Sequence, residues 1–159
     1  MVKTLNQLGL IDNLSKDEIQ LSIAYQIAEQ ILEIGQDVRP VFIGQLSQNY
    51  FSYTFPITFK TSQGKRHLFV KIPKVENEKK LSGIFPISSG DREMANAEEA
   101  SLKYLTKTWL SEDLEIFWVK MLGVIPEFNA IVTERIQADE ALAVFRHSDF
   151  NARFGYSIG

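Results

Sequence analysis

An α+β fold is predicted: an antiparallel sheet of about five strands, one helix packed between the third and fourth of them, and an amphipathic helix in front. Three features of the chain carry this. Ser15-Lys16-Asp17-Glu18 has the form of a capping box and opens a segment in which Ile19, Ile23, Ile27 and Ile31 recur at intervals of four. Phe51, Tyr53, Phe55, Ile57 and Phe59 then alternate with Ser52, Thr54 and Thr58, the period of a half-buried strand. Last, the apolar run Leu68-Phe69-Val70-Lys71-Ile72 has a lysine in its middle, and a later helical stretch has Glu98 near the middle of its apolar stripe.

Composition narrows the class of function. The 159 residues, 45% of them hydrophobic, suffice for one ordinary core. With 17 basic against 20 acidic residues and a formal charge of −3, there is no electrostatic footprint for nucleic acid or an anionic membrane. No cysteine is present, which removes disulfides, thiolate metal sites and cysteine nucleophiles. The two histidines, His67 and His147, lack the spacing of a zinc site, and no Gly-x-Ser-x-Gly occurs. The opening residues lack the apolar run of a signal peptide, and no stretch has the length of a membrane span, so a soluble cytoplasmic protein is expected.

In chain order, the first helix begins after Ser15 and is expected to stop near Gly35, with Ala24, Ala28 and Leu32 beside the isoleucine stripe. Val41 to Gly44 is a short strand, Gln45 to Asn49 a polar turn, and Tyr50 to Lys60 a long strand with Pro56 at a bulge or an edge. Thr61-Ser62-Gln63-Gly64-Lys65 makes a hairpin into the Lys71 strand. Pro73 to Gly90 reads as an exposed loop with solvated lysines at Lys74, Lys79 and Lys80. Asp91 is the expected N-cap of a helix over Arg92 to Leu110, whose stripe is Met94, Ser101, Leu102, Leu105 and Trp109. Glu98 falls within that stripe, Glu93 and Glu99 outside it. Strands follow over Ile116 to Val124 and Ala130 to Thr133, and a short helical pattern over Asp139 to Arg146.

Lys71 and Glu98 are each placed where a charge is out of keeping with its surroundings. An ion pair across the packing of strand on helix explains both at once.

This order, three strands, an inward-facing glutamate on a helix and two further strands, resembles the amino-terminal lobe of the protein-kinase-like fold, in its aminoglycoside and small-molecule phosphotransferase branch. The likeness runs from about Val41 to Leu142 and rests on Leu68-Phe69-Val70-Lys71-Ile72-Pro73, on Glu98-Glu99-Ala100-Ser101-Leu102-Lys103-Tyr104-Leu105, and on Asn129-Ala130-Ile131-Val132-Thr133-Glu134-Arg135-Ile136. It implies that Lys71 engages the phosphates of ATP and is steadied by Glu98, and that Thr133 takes the gatekeeper place behind the adenine. Backbone groups of Glu134 and Ile136 would face the adenine edge. The turn holding Ser47, Gln48 and Asn49 would cover the phosphates, without the Gly-x-Gly-x-x-Gly of protein kinases. Phe69, two residues before Lys71, would stand against the adenine.

The resemblance divides the chain into an amino-terminal helical segment at 1–38, a kinase-like lobe at 39–137, and at 138–159 the start of a truncated or missing second lobe. In the family that second lobe carries the catalytic aspartate and the Mg2+ ligands, so Mg2+ is expected only in a longer parent. His147-Ser148-Asp149-Phe150-Asn151 superficially resembles a catalytic loop, but it follows Glu134 too closely to be one. Two functions stay open: the nucleotide-binding lobe of an ATP-dependent small-molecule kinase, inactive alone, or a non-catalytic, pseudokinase-like interaction module. The expected partners are a nucleotide, and a second lobe or a second copy of the chain.

Overall fold

The computed structural model describes residues 14–32, 38–75, 83–108 and 119–136. Gly35, Lys79, Lys80, Trp109, the first residues of the expected fourth strand, the helical pattern after Asp139 and the His147 motif lie outside them.

Helix α1 spans Lys16–Gln30, and its start is the expected capping box: Ser15 Oγ accepts from Glu18 N, and Glu18 Oε2 accepts from Ser15 N at 2.7 Å. These bonds hold the Glu18 carboxyl below its ordinary range. The strands are β1 (Arg39–Ile43), β2 (Ser47–Gln48), β3 (Ser52–Thr61), β4 (Gly64–Pro73), β5 (Met121–Ile125) and β6 (Ala130–Glu134), with helix α2 (Ser89–Thr108) between β4 and β5. They form one antiparallel sheet in the order β1-β3-β4-β6-β5, with β2 pairing β3. The sheet thus has six strands where about five were expected, because the polar turn before Tyr50 contains β2.

The two faces differ because register puts residues of like parity together. Tyr53, Phe55, Ile57 and Phe59 lie opposite Ile72, Val70, Leu68 and Arg66, and Val70 opposite Val132. This face is dry. Ile19, Ile23 and Ile27 of α1 join it in a single core, all fully buried. The other face carries Thr54, Pro56, Phe69, Lys71, Ile131 and Thr133, and α2 packs on the β4, β5 and β6 side of the sheet.

Pro56 is not in a bulge of its own strand: it pairs with Phe69 of β4 on one side and on the other falls in the gap where the pairing of β1 has ended at Ile57 and that of β2 begins at Thr54, while the register irregularity is in β1, between Pro40 and Phe42. Gly44 N donates to Pro56 O at 2.8 Å, but proline has no N–H to return to the Gly44 carbonyl. The buried Gln20 supplies it instead, its Nε2 donating to Gly44 O at 2.8 Å. A Cβ on Gly44 would lie 2.5 Å from Pro56 Cγ, so this crossing also needs the glycine. Gln20→Ala should cost about 1–3 kcal/mol, the penalty of a buried carbonyl left without a donor, read by urea unfolding. A loss within error would mean that water takes the place of the amide.

Several expectations for the connection into α2 need correction. Lys74 is 5% exposed rather than solvated, because its stem runs under the β2 to β3 turn, and Ile84 and Phe85 are buried in the core, where the Phe85 ring meets Phe128 edge-on at 5.9 Å. Asp91 is not the N-cap. Ser88 takes that place: its Oγ accepts from Asp91 N at 3.1 Å, while Asp91 Oδ2 accepts from Ser88 N at 3.0 Å. Along α2, Ala95 is buried, Met94, Leu102 and Leu105 are half-buried, and Ser101 is exposed, donating to Ala97 O at 2.8 Å.

Candidate functional site

Alternation along β4 buries Leu68, Val70 and Ile72 beneath α1 and turns Phe69 and Lys71 to the α2 face. The ladder sets Lys71 opposite Thr54 on one side and Ile131 on the other. Lys71 Nζ donates to Glu98 Oε1 at 2.7 Å, the cross-element pair expected from the two misplaced charges. Its environment differs from the expected one: the Lys71 side chain is 37% exposed and that of Glu98 29%. A pair this wet is worth at most about 1 kcal/mol to folding. What it does supply is a lysine held at one place in the middle of the sheet face, with part of its surface open to a ligand.

Ser47 lies opposite Thr54, and Thr54 opposite Lys71, so these side chains form one row across β2, β3 and β4. Asn49 joins that row through Nδ2, which donates to Thr54 Oγ1 at 3.1 Å. Gln48 does not, since its partner is Tyr53 and its parity is that of the α1 face. Thr133 is buried opposite Phe69, its Oγ1 donating to the Phe69 carbonyl at 3.5 Å, so Thr133, Phe69 and Lys71 share the face. Glu134 is differently engaged. Its N–H donates to Lys120 O at 2.9 Å, and its carboxylate holds Arg66 at 3.2 Å and Lys120 at 3.9 Å. Its amide is thereby committed to the sheet. Ile136 lies past the end of β6 and is 45% exposed.

Thr54 was not singled out in the sequence, although its place as a polar residue in an alternating strand was visible. Glu99 is a second miss. It pairs with Lys103 one helical turn on and lines a groove of about 130 Å³ with Arg92, Asn96, Val124, Pro126 and Asn129. That groove does not include Lys71 or Glu98.

The ends of these elements meet at one junction. Asn129, in the left-handed conformation at φ 54° and buried, donates through Nδ2 to Pro73 O at 3.1 Å and to Asp91 O at 2.9 Å. Fully buried Asp91 accepts from Val75 N through Oδ1 at 2.7 Å. Burial pushes the Tyr53 hydroxyl above its ordinary value, and the Asp91 carboxylate adds to the shift. The strand that bears Lys71 and the helix that bears Glu98 are thus tied together at Pro73 and Asp91, close to the pair.

Among the described residues no three metal-ligating side chains converge, and no described helix is long and apolar enough to cross a membrane. No protein-family model matches the chain, and no curated protein matches it.

Proposed function

We propose that this chain is the nucleotide-binding lobe of an ATP-dependent kinase of small molecules, with the catalytic groups supplied by a longer parent. One observation carries the reading: a lysine in the middle of a sheet strand, held at 2.7 Å by a glutamate of the helix packed on that face, in one row with Ser47 and Thr54. Three strands, the glutamate helix and two further strands, with β2 continuing the first of the three, are consistent with it. The residues present suit a phosphate chain. Lys71 offers a cation already oriented by Glu98, needing no reorganisation as anionic oxygens arrive, and Thr133 and Phe69 provide a wall beside it. ATP supplies the phosphoryl group, which asks of the protein mostly positioning and charge neutralisation.

Lys71→Met should stay folded, because the half-exposed pair contributes little. Its affinity for ATP should fall at least about tenfold, the worth of one charge-assisted hydrogen bond. Amide chemical shifts followed through an ATP titration measure both, with Thr54, Phe69 and Thr133 the expected responders. Equal response in parent and variant would sink the assignment.

The alternative, an interaction module, draws on the same end of the sheet, where Val119 is 39% and Ile136 45% exposed. In that reading these side chains meet a second lobe or a second copy, and sedimentation over a concentration series should show self-association. A strict monomer that binds ATP would favour the first reading.

A further inference from the structure

The tip of the β2 to β3 hairpin is built against local preference. Asn49 N donates to Ser52 O at 2.8 Å, which leaves Tyr50 and Phe51 as the connecting residues. So short a loop favours turns with positive φ, hence glycine or asparagine, because their twist matches that of the strands. Neither loop residue is of that kind, and among the described residues Asn129 is the only non-glycine with positive φ. The shape of this loop is imposed from outside.

Lys74 imposes it. Its backbone N–H donates to Phe51 O at 2.9 Å and its Nζ to Tyr50 O at 3.0 Å, so one residue takes both loop carbonyls. The Tyr53 ring lies 5.4 Å from the same ammonium. A methionine would fill this space without the desolvation cost of a buried charge. The charge therefore has a use other than filling the core.

We infer that Lys74 is a positioning residue: through the Tyr50 carbonyl it holds the hairpin in the shape that brings Ser47 and Asn49 to the Lys71 row, where a phosphate chain is to be met. This inference rests on the nucleotide reading for its ligand, but not for the clamp itself. Asn49 is the link, since it closes the clamped loop through its N–H and reaches Thr54 through its side chain.

The test uses the full chain with Lys74→Met and, as the variant that keeps a cationic donor, Lys74→Arg. In Lys74→Met the Asn49 amide should exchange about tenfold faster while the Val132 amide in the core keeps its protection. ATP affinity should fall about tenfold, as for a lost charge-assisted bond, with adenosine affinity kept within about twofold. Lys74→Arg should restore most of both. Unchanged exchange at Asn49, equal acceleration at Val132, or equal losses for ATP and adenosine would each overturn the positioning role. If the parent chain binds neither ligand, the nucleotide reading and the phosphate part of this inference fall together, and the exchange at Asn49 still decides the clamp. Should Lys74→Met fail to fold, Lys74→Gln, uncharged and shorter in reach toward the Tyr50 carbonyl, takes its place: faster exchange at Asn49 with Val132 unchanged supports the inference, and unchanged exchange at Asn49 or equal acceleration at both rejects it.

Discussion

Asn129→Ala is expected to destabilise the protein by about 3 kcal/mol, combining buried carbonyls left without a donor and the left-handed backbone that alanine resists. The carbonyls are those of Pro73 and Asp91, both served by a single amide nitrogen. Asn129→Gly separates the two causes. It accepts φ 54° freely but restores neither hydrogen bond, so about 2 kcal/mol of the loss should remain. Urea unfolding of the three proteins measures this directly. If Asn129→Gly proved as stable as the parent, the side chain would be ornamental and the backbone angle the whole reason for asparagine. Because Asn129 joins the end of β4 to the first turn of α2, its loss should also loosen the Lys71 and Glu98 pair, visible as broadening of the Glu98 side-chain resonances.

Ile23→Ala should cost about 2–5 kcal/mol, the range for removing a large aliphatic side chain from a packed core. Ile23 is fully buried in one cluster with Phe55, Val70 and Val132, so α1 and the sheet are expected to unfold in a single transition that the substitution shifts as a whole. Fluorescence and far-UV circular dichroism melts of the variant should coincide. A variant whose sheet transition stays in place while helix signal is lost early would show α1 to be an independent attachment rather than part of the lobe. The two sites share no contact partner described above, so their effects should add to within about 0.5 kcal/mol.

What was legible in the sequence was local. The capping box at Ser15, the alternation from Tyr53 to Phe59 and the turn at Ser62-Gln63 each depend on neighbours a few residues apart, and each is in the structure, whereas Tyr50 and Phe51, expected in the same strand, are exposed residues of the loop before it. The Lys71 and Glu98 contact spans a longer interval, yet it was legible too. Two charges out of keeping with their own elements have few ways to be satisfied except by each other.

Period alone did not reach further. The pairing of Ser47 and Gln48 as a strand depends on the open edge of β3, which a polar dipeptide does not announce. Glu99 turned toward a groove because β5 and Pro126 close over that flank of α2.

The sequence by itself determined the two helices and the long strands and which face of each strand is apolar, since those follow from the repeat of the backbone. Only the tertiary structure decided the partners of the polar groups: Gln20 for the carbonyl that Pro56 leaves unanswered, Lys74 for the loop carbonyls, Asn129 for the ends of β4 and α2. A buried polar group must be paired wherever the chain brings it, and which distant segment arrives there is settled by the packing of the whole sheet.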